Sequence, residues 1–193
     1  MRIDLAHRHP DVEGWFPGLA TDWAIDRENA TVYFRLNPDA TYSDGVPIIV
    51  DDFFFTFYFM RSPWIRAPFA AEFFSLYHSK LEKFDDHTFP ISLKKQRPDL
   101  ENYTLSMIPT PRHFYKEFGE DFVERYQWDF QPHSGCYVIG KDDLKKGRSI
   151  TRRRLQNWWA KDLKHTRYRW NPDKIVVKAI RDRRKAFETF KKG

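Results

Sequence analysis

At 193 residues, 41% hydrophobic and 18% aromatic, the chain carries enough apolar material for a folded core and is not a disordered tail. The net charge of +6 is unevenly placed: residues 1–140 hold 14 Lys+Arg against 21 Asp+Glu, and residues 141–193 hold 19 against 6. The basic last third suits a polyanion, an anionic surface or an acidic neighbour, and the single cysteine, Cys136, excludes an internal disulfide.

The opening residues, Met1 to Trp15, contain no apolar run of the kind a secretory signal needs, and no stretch of the sequence is long and apolar enough to span a membrane. As written, the chain is expected to be cytosolic or a piece of a longer protein. Residues 1–14 are expected to be disordered or irregular. Gly14 to Leu19 is turn-rich, and Trp23 to Ile25, Asp26 to Asn29 and Thr31 to Leu36 together predict a hairpin. Its second strand alternates Val32, Phe34 and Leu36 with Thr31, Tyr33 and Arg35, the period of a half-buried strand.

Ser43-Asp44-Gly45 has turn chemistry, and Asp51 and Asp52 place acceptors and negative charge where a helix would begin near Val50. Within that helix Phe53, Phe54, Phe55, Phe57, Tyr58 and Phe59 leave almost no polar face, which predicts burial on several sides. Arg61-Ser62-Pro63 ends it. A second aromatic helix is expected over Phe69 to Tyr77, with Phe69, Phe73 and Phe74 near one face. Lys80 to Phe84 and Thr88 to Lys94 predict a second hairpin that extends the first, with Pro90 marking an edge or a bulge.

Pro109 and Pro111 introduce a helix-like region in which Phe114, Phe118, Phe122 and Tyr126 recur every four residues, the spacing of one helix face. Gly135 to Ile139 and Ser149 to Leu155 read as a strand pair around a charged turn that ends at Gly147. A strand from Lys174 to Ile180 and a helix from Asp182 to Lys192 follow, the helix with Ala186, Phe187 and Phe190 on its apolar face.

The chemistry-bearing motifs are few. His7-Arg8-His9 has ligand-like spacing but lacks a third donor, and a frayed terminus is the preferred reading. The pairs Asp51-Asp52, Asp85-Asp86 and Asp142-Asp143 each sit where a cap or turn wants a carboxylate. No nucleophile elbow, P-loop or dinucleotide fingerprint occurs, so neither a catalytic site, a metal site nor a cofactor is expected, and the protein is read as a non-enzyme.

The segment Thr31 to Ile48, with the turn Asp44-Gly45-Val46-Pro47 and the following acidic pair, resembles the family 5 extracellular solute-binding proteins, the peptide-binding subunits of bacterial ABC importers. Phe57 to Pro63, Thr110 to Tyr115, Ser134 to Tyr137, Gly147 to Arg154, Asn157 to Asp162 and Asn171 to Gly193 resemble, in the same order, the branch that handles oligopeptides and microcin C-like peptides. Gly135-Cys136-Tyr137 departs from the usual Gly-Pro-Tyr or Gly-Ala-Tyr, and Arg152-Arg153-Arg154 adds charge to a strand that the family uses structurally.

The resemblance implies a mixed α/β fold: part of one lobe of a type II periplasmic binding protein, with a mixed sheet, flanking helices and a small antiparallel subdomain. Residues 15–108 would form that subdomain and 109–193 an incomplete part of the lobe's main sheet. It further implies a peptide ligand captured between two lobes without chemistry, a periplasmic parent protein and an inner-membrane ABC permease as partner, with this chain a fragment unable to bind alone. The loop after Pro63 corresponds in peptide binders to one that brings an aromatic ring to the ligand, which makes Phe69 and Phe73 the expected ligand contacts. No nucleic acid is expected. The residues themselves leave an alternative open: Arg152 to Arg154, Arg167, Arg169 and Arg181 to Lys185, interleaved with Trp158, Trp159, Tyr168 and Trp170, are the cation-plus-aromatic mixture that binds single-stranded nucleic acid.

Overall fold

The alternating pattern around Tyr33 folds as expected. In the computed structural model, which describes residues 2–192, strand β3 (Ala20–Asp26) pairs antiparallel with β4 (Thr31–Leu36), Trp23 opposite Phe34. Val32, Phe34 and Leu36 face inward and are buried. β5 (His78–Leu81) and β6 (Thr88–Leu93) complete a four-stranded antiparallel sheet in the order β3-β4-β6-β5.

Pro90 lies in β6, an inner strand, opposite Tyr33 of β4. Leu93 donates its N–H to Ala30 on the β4 side, so by alternation Pro90 turns its missing N–H toward the β5 side. There β5 has already ended, with Leu81 opposite Ile91. The proline therefore occupies a local edge, and the irregularity expected of it falls instead in β5, between His78 and Lys80.

Helix α1 (Val50–Arg61) lies against this sheet, burying Phe53 and Phe57; Phe53 meets Phe89 of β6 at 5.0 Å. Each fully buried ring of this kind contributes on the order of 2–3 kcal/mol. The N-cap is Ile49, one step before the expected start. Asp52 accepts from its N–H (3.1 Å), while Ile49 has no side-chain oxygen to return the bond. The outer side of α1 is not solvent: Phe55 and Phe59 meet Tyr115, Phe118 and, for Phe59, Phe122 at 4.9–6.4 Å.

Phe114, Phe118, Phe122 and Tyr126 do come together, but not along one helix. Only α4 (Phe122–Tyr126) is helical; residues 112–118 run through turns, and Gly119 separates the two parts. The period of four is realised by a folded-back chain, with Phe114–Tyr126 at 5.4 Å and Phe118–Phe122 at 5.5 Å. α2 (Pro68–Leu76) forms where expected, and a short helix, α3 (Leu100–Thr104), precedes the crossing to the second part of the chain.

Within residues 2–14, expected to be disordered or irregular, Ala6–Arg8 is a strand and the remainder has no regular secondary structure. β1 (Ala6–Arg8) pairs with β2 (Trp15–Pro17), and Ile3, Leu5 and Ala6 are buried. The segment is clamped on two sides: Leu5 and Ala6 donate to Met107 and Leu105 (3.0 and 2.9 Å), while Gly18, Leu19 and Ala20 donate to Leu5 and Asp4 (2.8–3.1 Å). Backbone groups 100 positions away satisfy this stretch, which local composition cannot signal.

The second sheet holds β7 (Tyr137–Val138), β9 (Ser149–Arg154) and β10 (Lys174–Lys178) in the order β10-β9-β7, all antiparallel, with β8 (Leu144–Lys145) also on β9. α5 (Arg183–Lys191) starts at Asp182, whose carboxylate accepts from Arg184 and Lys185 N–H (2.8 and 3.0 Å). One continuous core runs from Ile3 through the first sheet to Tyr137, Trp158 and Ala160.

Candidate functional site

Pro68 presets the first turn of α2, and no residue of this nine-residue helix is fully buried. Its two expected ligand contacts are placed very differently. Phe69 is 89% exposed and has no aromatic contact among the described residues. Phe73 lies flat on Tyr103 (5.5 Å, 7° between planes) and touches Phe74, Tyr77 and His78 at 5.2–5.5 Å.

Both line an open groove of about 460 Å³ together with Glu72, Leu76, Tyr77 and Tyr103. Arg97 lies over two of these rings, its guanidinium 4.5 Å from the Tyr103 ring and 5.2 Å from that of Tyr77. The arrangement is a wall of rings with one free side chain, Phe69, projecting at its lip. It presents apolar and cation-capped aromatic surface to a ligand and no nucleophile. Tyr103 and Arg97 carry no local sequence signal; only α3 and the loop before it bring them to α2.

Beneath the groove His78 is buried, its Nε2 3.2 Å from the Tyr103 carbonyl and its Nδ1 without a partner. Burial pushes its pKa down, so the imidazole is held neutral as part of the packing.

The two parts of the chain meet at residues 131–137. Ser43 N–H donates to the His133 carbonyl (2.9 Å) and His133 N–H to Ser43 Oγ (3.2 Å). Ser134 exchanges two bonds with Ile3, and its carbonyl accepts from both Trp158 and Trp159 Nε1 (2.9 and 3.0 Å). His133 Nδ1 accepts from Gly135 N–H at 3.2 Å. Burial, together with the positive charge of Arg2, lowers the His133 pKa to about 4. A groove of about 470 Å³ runs along this junction, lined by Asp44, Tyr115, Gln131, His133 and Ile139 among others.

His7 and His9 are not at a frayed end: β1 holds His7, His9 donates its N–H to the Gly14 carbonyl (2.9 Å), and tertiary packing brings His165 to Phe16 as well. Among the described residues no group of three or more His, Cys, Asp or Glu side chains is arranged to hold a metal ion. No helix is long and apolar enough to cross a membrane.

Several of the arginines read from sequence as a polyanion surface are already engaged. Arg153 pairs with the buried Asp143 (2.9 Å), Arg154 with Asp173, and Arg167 and Arg169 lie over their own neighbours Tyr168 and Trp170 at 4.8 and 4.7 Å. The nucleic-acid reading finds no support in comparisons with known proteins either.

Those comparisons agree with one another. Residues 15–193 match the family described as bacterial extracellular solute-binding proteins, family 5 Middle. A putative binding protein of Brucella melitensis biotype 1 is 33% identical over 179 residues, covering 91% of this chain and 28% of that protein. The chain thus spans little more than a quarter of the length of the curated relative. Among solved structures, a mannohexaose-bound periplasmic oligopeptide-binding protein of Thermotoga maritima superposes with a TM-score of 0.77 at 19% identity, covering all of this chain and 34% of that one. Haemophilus influenzae OppA in complex with RPPGFSPFR gives 0.74 at 21%, with coverage of 100% and 39%. At such identities the superpositions establish the fold, a mixed α/β arrangement shared with periplasmic binding proteins. By the match over residues 15–193, the chain belongs to the bacterial extracellular solute-binding proteins of family 5.

Proposed function

We propose that this chain forms part of the substrate-binding component of a bacterial ABC importer for peptides, and that it contributes ring contacts from α2 to a ligand captured without chemistry. The observation that carries the reading is the exposed Phe69 at the lip of a ring-walled groove, with Phe73 fixed behind it on Tyr103. Peptide side chains differ in size and charge, and a ring-walled groove edged by Glu72, Asp99 and Asn102, with one projecting ring, offers both apolar and polar contact without demanding a particular partner.

The family membership supports the class, and a neighbour of the same fold is described with a nonapeptide, RPPGFSPFR, bound. In this reading the parent protein works in the periplasm, closes two lobes on the peptide and delivers it to an inner-membrane permease. Residues 15–108 would act as the small subdomain and 109–193 as part of the main sheet of one lobe.

The test is nuclear magnetic resonance of the full-length parent protein labelled on phenylalanine rings, titrated with RPPGFSPFR and with tripeptides to millimolar concentration. Peptides should shift the Phe69 and Phe73 ring signals, and Phe69→Ala should weaken binding about tenfold, a loss of ~1.4 kcal/mol, with little dependence on salt. Absence of any shift at these rings while other sites respond would refute the assignment of α2.

A further inference from the structure

A cavity of about 910 Å³ opens between β1, β2 and residues 164–170, and it shares no lining residue with the α2 groove. Its size falls within the roughly 300–1,000 Å³ of small-molecule sites. Four permanent cations face it: Arg2, Arg8, Lys164 and Arg169. The one carboxylate on its wall, Asp4, is already paired with His7 Nδ1, and among the described residues none of the four cations has a carboxylate partner. Like charges gathered around a concave surface repel one another and raise the local concentration of anions.

The floor is aromatic, its rings inclined to one another by 46–86°. Phe16 has His7 at 5.2 Å, His165 at 5.4 Å and His9 at 6.3 Å around its ring. Trp170 stands at the other side with a backbone φ of 55°, a conformation that bulky residues rarely adopt. It is held there from behind: Tyr137 Oη donates to the carbonyls of Trp170 (3.1 Å) and Pro172 (2.7 Å), and Trp158 packs on the indole edge at 5.3 Å. Such over-determined strain is characteristic of ligand sites.

We propose that this cavity binds a small multivalent anion carrying a flat ring, its acidic groups held by Arg2, Arg8 and Lys164 and its ring against Phe16, while Arg169, stacked on Trp170 at 4.7 Å, adds positive charge to the wall. The unpaired cations call for two or more negative charges, and the aromatic floor calls for a ring. Phosphate and carboxylate groups share this chemistry. The site goes beyond the peptide reading of α2 and does not depend on it.

Calorimetric titration of the chain tests it with four probes: ATP and benzene-1,3,5-tricarboxylate, which carry charge and a ring, pyrophosphate, which carries charge alone, and adenosine, which carries a ring alone. At least one ring-bearing anion should bind, pyrophosphate at least tenfold more weakly and adenosine not at all; which ring-bearing anion binds identifies phosphate or carboxylate as the acidic group. Arg8→Glu with Lys164→Glu, both exposed and without polar partners, should weaken binding tenfold or more. Arg152→Glu with Arg184→Glu, the same change in net charge placed on β9 and α5, should leave it within twofold. The proposal is overturned if no anion binds at millimolar concentration, if pyrophosphate binds as tightly as the ring-bearing anions, or if the control pair weakens binding as much as the cavity pair.

Discussion

Ile3 and Ser134, 131 positions apart, exchange two hydrogen bonds: Ile3 N–H donates to Ser134 Oγ at 2.7 Å, and the same hydroxyl donates to the Ile3 carbonyl at 3.0 Å. Both residues are buried, so no water replaces either bond. Ser134→Ala removes one side chain and strands two backbone groups. The expected loss is about 2–4 kcal/mol, at 1–3 kcal/mol for each unsatisfied group less relaxation, read from urea unfolding. An unchanged midpoint would mean that the N-terminal segment is not held to residues 131–137 in solution.

A second buried junction ties α1 to the chain that follows α3. Thr56 Oγ1 donates to the Asp52 carbonyl (2.9 Å) and lies 3.0 Å from Thr110 Oγ1, while Thr110 N–H donates back to it at 2.8 Å. Thr56→Val keeps the volume and removes the nearer acceptor, leaving the buried Thr110 N–H only the longer bond to the Asp52 carbonyl at 3.4 Å. We expect about 1–3 kcal/mol of destabilisation, whereas Thr56→Ser, which keeps the oxygen, should cost distinctly less in the same melts.

Gly18 admits no side chain. A Cβ there would stand 2.3 Å from the Asp4 carbonyl oxygen and 3.0 Å from that of Leu5, both backbone atoms fixed by the pairing of 18–20 with 4–5. Gly18→Ala should therefore cost about 3 kcal/mol, at the upper end for overpacking, and its signature should be loss of amide-exchange protection at Leu5, Leu19 and Ala20. Gly119→Ala, with only Asp121 Oδ1 at 3.8 Å, should be tolerated.

His133 makes stability depend on pH. Its folded pKa is lowered from 6.5 to about 4, chiefly by burial. Between these values the unfolded chain binds the proton and the folded one does not, so stability rises with pH across this window and is lost as pH falls from 6.5 toward 4. The full effect is about 3 kcal/mol at most, since each pKa unit is worth ~1.4 kcal/mol. His78 is shifted the same way by burial and adds to the slope. His133→Gln should flatten the pH dependence of the unfolding midpoint between 6.5 and 4.5; a slope unchanged by this substitution would place its origin elsewhere.

On α5, Phe187 and Phe190 are 58% and 81% exposed, three positions apart on one helix face. Replacing both phenylalanines by Ser should change stability by less than about 0.5 kcal/mol, because little apolar area is buried there. The same variant should lower self-association in sedimentation experiments at high protein concentration, since contiguous exposed apolar surface drives it. A large fall in stability would show that these rings are covered in solution.

Much of the architecture is written in short-range chemistry. The alternation of Val32, Phe34 and Leu36, the acidic start of α1 with its Ser62-Pro63 stop, and the Asp182 cap of α5 each act within a few residues, and each element forms where those residues lie. The candidate site is only half legible. Two ring-bearing positions on α2 follow from the resemblance, but the exposure of Phe69 and the stacking of the half-buried Phe73 on Tyr103 depend on where α3 lies.

By itself, then, the sequence determined the strands, the main helices and the family. What only the tertiary structure decided are the relations between distant residues. Ile3, Leu5 and Ala6 are too few to predict a core element, and they become one because Leu105, Met107 and Ser134 supply hydrogen-bond partners and cover. The rings from Phe114 to Tyr126 look like one helix face and are gathered by turns instead. His165 lies far along the chain from the β1–β2 pair that carries His7 and Phe16, and the three share one cavity wall. Local propensity acts over a turn or a strand, while burial and hydrogen-bond satisfaction are settled by whichever segment arrives, at any separation along the chain.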